Sequence, residues 1–355
     1  VSSFALARAR RALQTARLDV DMPLHRASSV TNDVFCADEF VIRVNRRLDP
    51  RLAREAGLAP HLPAEVRYPG IVAYGGGPHG ADWLIVERVP GIVLARAWPD
   101  MTEPARREAI RQLAGILRAL HATPVPDDLL EIEATVPQLL SARTIDPTMP
   151  LLVAVDKLRA GGQVDAGLLD RVEQVIVETA DALVPFRSDT LIHGDLTFEN
   201  VMWDGGGITA LLDFEWARPG PPDLDLDVLL RFCAHPYLHV AADYEHLARP
   251  ETYADVPWWL AEDYPELFTF PRQLDRVRLY SIAFDVRDLL LTPPDRPAAE
   301  LSPDHALHRL RRVIEGTSYL NALAGDAEAV TAAVGPQVVS SPAPGATSAG
   351  PRPAS

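Results

Sequence analysis

The chain has 355 residues, 47% of them hydrophobic and 23% charged, with a formal net charge of −15. That length suits two lobes better than one core, and so acidic a balance argues against a nucleic-acid partner, whose phosphates need a basic face. Cys36 and Cys233 are the two cysteines, too few for a disulfide framework, which fits a reducing, cytoplasmic setting. No apolar run reaches the ~18 residues of a membrane span, so no membrane partner is expected.

Residues 1–20 read as an amphipathic helix, without the continuous apolar centre of a signal peptide. Residues 22–47 carry β-branched and aromatic residues around a polar turn at Ala37–Glu39 and read as strands. A helix over 51–62 follows, then strands over 68–75 and 83–89, so residues 1–90 read as a small sheet with one helix. Pro90-Gly91 is a breaker pair and marks the expected lobe boundary. Residues 103–122 have helical apolar spacing and are stopped by Pro124 and Pro126. A helix is expected over 165–184 and short strands around a polar loop over 190–217. Helices then dominate a second lobe spanning 91–333, at 223–233, 241–247, 273–291 and 303–323. The last residues, 334–355, are rich in Gly, Pro, Ala and Ser; they cannot bury apolar surface and are expected to be a disordered tail.

The segment LIHGDLTFENVMWDGGGITALLDFEW, residues 191–216, concentrates the polar groups. It holds His193-Gly194-Asp195, then Asn200, then Asp213, each cluster flanked by apolar residues. This pattern describes a loop presenting a carboxylate and an amide, followed by a hairpin presenting a second carboxylate. An amide oxygen and a carboxylate are hard ligands suited to Mg²⁺. A further free carboxylate can orient or deprotonate a hydroxyl. Phosphoryl transfer needs that combination.

The segment resembles the catalytic core of the aminoglycoside phosphotransferase family, small-molecule relatives of protein kinases. That family's pattern, H-G-D-x-x-x-x-N followed by D-x-[DEG], is matched by His193, Gly194, Asp195, Asn200 and Asp213, with Glu215 in the variable place. The resemblance implies an α+β, bilobal, protein-kinase-like fold: a small N-terminal antiparallel sheet with a helix, and a larger, mostly helical C-terminal lobe. It implies Asp195 as catalytic base, Asn200 and Asp213 as Mg²⁺ ligands, and His193 and Asp225 as supports. Asp225 lies in Gly220-Pro221-Pro222-Asp223-Leu224-Asp225-Leu226, which is similar to the family's G-D-P-x-x-D-L except that Pro221 replaces an aspartate.

In the first lobe the phosphate-gripping lysine of kinases has no match. Lys157 is the chain's single lysine, and the corresponding strand reads Phe40-Val41-Ile42-Arg43-Val44. Arg43 takes the lysine's place, with Glu55 on the next helix as its partner; an arginine is permanently charged and grips phosphate in a bidentate way. The alternative is a solvated strand residue. Ser28 and Ser29 lie in the turn that would cover the nucleotide, and Glu87 and Val89 lie in the hinge, where a base meets the main chain. On the acceptor side the candidates are Glu215, Asp285 and Asp288, the last two one helical turn apart, among the aromatic residues of 235–290. They form either an acidic pocket or a solvated acidic surface. His121 reads as a packed histidine.

The resemblance thus implies transfer of the γ-phosphate of ATP or GTP, with Mg²⁺, to a hydroxylated small molecule. The acceptor expected first is an antibiotic of aminoglycoside, macrolide or nucleoside type, in resistance or self-protection. The alternatives are a metabolic kinase acting on choline, homoserine or a sugar, and a regulatory nucleotide-binding pseudokinase. Oligomeric state is not encoded in any of these patterns.

Overall fold

The computed structural model describes residues 3–27, 29, 32–46, 51–77, 80–126, 138–141, 144–187 and 189–321. Ser28, one of the two turn serines, and the expected disordered tail lie outside them. Helix α1 (Ser3–Thr15) precedes three strands, β1 (His25–Ala27), β2 (Asn32–Cys36) and β3 (Phe40–Asn45). Helix α2 (Arg51–Leu58) follows, then β4 (Ile71–Gly77) and β5 (Gly80–Glu87). The five strands form one antiparallel sheet in the order β1-β2-β3-β5-β4.

Strand alternation sends successive side chains to opposite faces. On one face, Phe35, Ile42, Val44 and Ile85 pack against Ala5, Ala9, Ala12 and Leu13 of α1, whose small residues let the helix lie close. On the other, Val41, Leu84 and Val86 meet Leu52 of α2. Arg43 therefore shares the α2 face.

The chain continues through β6 (Ile92–Val93), the single turn α3 (Leu94–Ala97) and the long α4 (Glu103–His121). Helices α5 (Met149–Gly161) and α6 (Ala166–Thr179) come next. Four short strands then carry the polar motifs: β7 (Leu191–Ile192), β8 (Val201–Trp203), β9 (Ile208–Leu211) and β10 (Arg218–Pro219), followed by α7 (Asp223–Ala234). Helices α8 (Val256–Asp263), α9 (Gln273–Leu291) and α10 (Ala306–Glu315) complete the described chain. β6-β8-β9 form one small sheet and β10-β7 another. One core surrounds the buried face of α4, and a second lies among α5, α6, α9 and α10. The architecture is the kinase-like α+β arrangement expected, with an antiparallel sheet first and helices dominating afterwards. No described helix is long and apolar enough to cross a membrane.

Several elements differ from the sequence reading. Neither α5 nor α8 was expected. Pro150 and the run Leu151–Val155 obscure the period of α5; Leu151, Ala154, Val155 and Leu158 nevertheless form its buried stripe. The helix expected over 241–247 is a single 3₁₀ turn, Glu245–Leu247. The last helix ends at Glu315, because Gly316 turns left-handed at φ 67°.

Candidate active site

The motif loop is built around one buried carboxylate. Asp225, in the first turn of α7, is fully buried and accepts the backbone N–H groups of His193 and Gly194, each at 2.8 Å. His121 Nε2, from the end of α4, approaches the same carboxylate at 3.1 Å, while its Nδ1 meets the Tyr264 hydroxyl at 3.1 Å. Burial alone would raise Asp225, but the hydrogen bond and charge of His121, with His193 and Gly194, hold it below the ordinary aspartate range. Gly194 has φ 80°, and a Cβ there would come within 2.5 Å of the Trp216 carbonyl, so glycine is required in this turn.

His193 is wholly buried and joins two parts of the site. Its Nδ1 accepts the Asp195 N–H at 3.2 Å, which leaves the proton on Nε2 to be donated to the Leu212 carbonyl at 2.8 Å. One ring thus ties the Asp195 loop to the residue before Asp213. Asn200 Nδ2 donates to the Asp195 carbonyl at 2.7 Å and to Asp195 Oδ2 at 3.2 Å. Leu196 and Phe198, both buried, anchor the intervening turn. Burial, then the charge of Asp213, pushes Asp195 above the usual aspartate range, against the pull of His193 and Asn200.

Asp213 follows β9 in a left-handed conformation, φ 65° and ψ 59°. A non-glycine residue adopts this only where its surroundings enforce it, and such residues cluster at functional sites. Arg43 meets it from the sheet. Arg43 Nη1 donates to both Glu55 oxygens at 2.7 Å, and Nη2 donates to Asp213 at 2.8 Å and Glu215 at 3.2 Å. Burial opposes the charge on Arg43, but Asp213, Glu55 and Glu215 outweigh it and raise Arg43 well above its ordinary value. Tyr68 donates to Glu55 at 2.9 Å.

A divalent cation fits these donors. The Asn200 amide nitrogen is engaged by Asp195, which leaves the oxygen of that amide as the donor beside Asp213. Glu55, Asp213 and Glu215 also bring ligand atoms within 4.8 Å of one another. Arg43, which contacts all three, supplies positive charge to that cluster.

A family model described as the phosphotransferase enzyme family matches residues 26–259, about two thirds of the chain. The chain belongs to the phosphotransferase enzyme family. The aminoglycoside 3'-phosphotransferase of Streptomyces fradiae is 31% identical to it over 153 residues, covering 42% of this chain and 52% of that protein. The match thus spans about half the length of that relative. Among solved structures, the GDP complex of aminoglycoside 2'-phosphotransferase-IIIa superposes with a TM-score of 0.62 at 17% identity, over 89% of this chain and 99% of that one. A thermostable mutant of aminoglycoside phosphotransferase APH(4)-Ia, in ternary complex with ADP and hygromycin B, gives 0.56 at 16% identity, over 86% and 97%. The ADP-bound aminoglycoside phosphotransferase APH(2'')-Ib gives 0.59 at 14% identity, over 90% and 100%. At these identities the structures share the fold.

In this phosphotransferase-family chain, His193, Asp195, Asn200, Asp213 and Asp225 come together around one loop, and Arg43 meets them from the sheet, aligned by Glu55 of α2. The Glu87 N–H is taken by the Gly70 carbonyl at 2.8 Å, and Val89 is half-buried two residues on. The Ser29 carbonyl accepts from Arg46 at 3.0 Å.

The three acceptor candidates lie elsewhere than expected. Glu215 is 2% exposed and is held by Arg43, by Arg51 at 3.0 Å and by Asn32 at 3.1 Å, so it points to the sheet and not to an acceptor. Asp285 is fully buried and accepts from Arg231 at 3.1 Å and Arg309 at 2.8 Å. Asp288 accepts from Arg309 at 2.7 Å. The acidic face of α9 is therefore neutralised by arginines of α7 and α10. Tyr244, Tyr253, Trp259 and Tyr264 are core residues, not a pocket lining. The sequence reading missed Asn32, Arg51 and Tyr68. Arg51 alone had a local signal, one helical turn before Glu55 on the same face.

Proposed function

We propose that this chain is a kinase that moves the γ-phosphate of ATP or GTP to a hydroxyl of a small molecule. An antibiotic of aminoglycoside, macrolide or nucleoside type is the first acceptor class to test. In this reading residues up to about 90 hold the nucleotide, and the remainder carry the catalytic loop and acceptor. Mg²⁺, held by Asn200 and Asp213, neutralises phosphate charge when bound. Asp195 orients the acceptor hydroxyl and takes its proton at a carboxylate oxygen. Asn200 Nδ2 and His193 fix the angle of that carboxylate. Arg43 grips the phosphates while Glu55 aligns it, and the hinge at Glu87 and Val89 faces the base through its main chain.

The observation that carries this reading is the His193 ring. It bonds the backbone of Asp195 on one side and Leu212, next to Asp213, on the other. The base and the metal ligand are thus held in register by one rigid group, as in-line transfer requires. The names of the relatives and the nucleotides in the similar structures lend weight to the substrate class.

Nucleoside-diphosphate release with ATP or GTP, Mg²⁺ and a panel of hydroxylated acceptors tests the proposal. Asp195→Asn should lower kcat ~10²–10⁴-fold, with nucleotide affinity nearly unchanged. Turnover within a few-fold of wild type would remove Asp195 as base. Nucleotide binding without transfer to any acceptor would point instead to a regulatory pseudokinase.

A further inference from the structure

The donors of Arg43 are already taken by this chain's own acids. A guanidinium has five N–H groups, four of them on its two terminal nitrogens. Nη1 donates to the two Glu55 oxygens at 2.7 Å each, and Nη2 donates to Asp213 at 2.8 Å and to Glu215 at 3.2 Å. A phosphate that comes to this fork must displace one of the carboxylates. A cation that comes to the same oxygen of Asp213 must displace Arg43.

The three carboxylates are held unequally. The side chains of Glu55 and Glu215 are 1% exposed, and each has further partners. Tyr68 donates to Glu55 at 2.9 Å, while Arg51 and Asn32 donate to Glu215 at 3.0 and 3.1 Å. The Asp213 side chain is 27% exposed, and among the described residues Arg43 is the one hydrogen-bond partner of its carboxylate. Its main chain sits in the left-handed turn before the buried Phe214 and Glu215, which leaves rotation of the side chain as its freedom. The partner that Arg43 holds least securely is therefore the residue that the proposed transfer assigns to Mg²⁺.

Charge joins the two departures into one event. While Arg43 stays, a divalent cation at Asp213 would meet a like charge across a single carboxylate. If Arg43 leaves with nothing in its place, Glu55, Asp213 and Glu215 face one another with ligand atoms within 4.8 Å, and like charges so close in a buried site repel strongly. A phosphate on Arg43 together with a cation on Asp213 satisfies both sides. We propose that the Arg43–Asp213 ion pair is an exchange latch. It shuts Asp213 to divalent cations in the nucleotide-free chain and opens when phosphates take the Nη2 donor that Asp213 releases. Glu55 and Glu215 stay with Arg43 throughout. The inference rests on the proposed phosphate grip of Arg43 and deepens it: metal enters with the nucleotide and not before it.

Mn²⁺, which favours the same oxygen ligands as Mg²⁺, tests this on the full chain, with the free ion counted by electron paramagnetic resonance. Nucleotide-free wild type should bind it weakly. Arg43→Gln removes the charge and should bind one Mn²⁺ roughly 10- to 100-fold more tightly than wild type. Adding Asp213→Asn should abolish most of that gain, which assigns the ion to Asp213. Arg43→Lys retains the charge and should exclude Mn²⁺ nearly as wild type does. Melting curves check folding, and Mn²⁺ should raise the melting temperature of Arg43→Gln but not of wild type, since a ligand stabilises only the chain that binds it. Arg43→Met, also uncharged, replaces Arg43→Gln should that variant unfold. Nucleotide-free wild type that binds Mn²⁺ as tightly as the folded uncharged variant, or a gain that survives Asp213→Asn, would overturn the latch. ADP tests the underlying reading separately: with it, wild type should take up Mn²⁺ beyond what ADP alone chelates. Uptake with ADP but no gain in the uncharged variants would reject the latch and keep the nucleotide site. A gain in those variants without ADP-dependent uptake by wild type would keep Arg43 as the barrier at Asp213 and reject the nucleotide site.

Discussion

Arg43 lies between Ile42 and Val44, which are buried against α1, so period-two alternation turns it to the face of α2. There it meets Glu55, Asp213 and Glu215 at once. A lysine's point charge could not match this fork geometry, which uses both terminal nitrogens. Arg43→Ala would leave three carboxylates facing one another, two of them buried. Nucleotide KM should rise and kcat fall, and because breaking a buried pair costs about 3–5 kcal/mol, the melting temperature should fall as well. Arg43→Lys should recover stability first and activity only in part, mostly through nucleotide KM. Wild-type KM and kcat in Arg43→Ala would move the phosphate grip to another arginine. The place of Arg43 was legible because alternation and the following helix are both local signals. The partners Asn32 and Glu215 were not, since they are 183 residues apart in the chain and no local pattern records that they meet.

At the level of elements, legibility follows one-sidedness. α4, with a clean apolar stripe, is read to within a residue, 103–122 against Glu103–His121. α9 is also bounded correctly, at 273–291, yet its faces were misread. It is buried nearly all round, from Arg276 through Leu289, so apolar period does not show which face meets solvent. Its acids therefore looked available, when arginines from neighbouring helices already neutralise them. The same packing yields a prediction. Asp223 at the start of α7 is fully buried and accepts from Arg276 Nε at 2.6 Å and Nη2 at 3.0 Å, with the Tyr280 hydroxyl at 3.1 Å. Asp223→Ala leaves that guanidinium buried and unpaired, and urea unfolding should show a loss of about 3–5 kcal/mol. The pair Asp223→Leu with Arg276→Met should cost less than the single change, because no uncompensated charge remains. A double variant less stable than Asp223→Ala would mean that the pair holds the helices together by more than mutual neutralisation.

For the whole molecule, net charge and buried titratable groups oppose each other in acid. With 49 acidic against 34 basic side chains, the chain carries −15 near neutrality and reaches its isoelectric point near pH 5.1. Approaching that point relieves self-repulsion and favours the folded state. Glu199 and Asp227 act the same way: burial is the main cause that pushes both up to about 7, so their contribution is complete below the usual carboxylate range and is lost as pH rises through 7. His235 and His239 act oppositely. Burial holds His235 down to about 4 and, reinforced by Arg231, His239 down to about 3. Histidines of the unfolded chain protonate near 6.5, so the stability these two contribute is complete above that value. It declines as pH falls toward 4 and 3. His239 lies near the Phe232 ring, with 6.1 Å between centroids, so His239→Leu keeps an apolar side chain there and removes the titration. Melting curves at pH 7 and pH 5 should show wild type losing more stability than His239→Leu, by an amount on the order of 1 kcal/mol after solvent screening is allowed for. The comparison cancels every other group, including Glu199 and Asp227. Parallel pH curves for the two proteins would mean that His239 takes up its proton as readily in the folded chain as in the unfolded one.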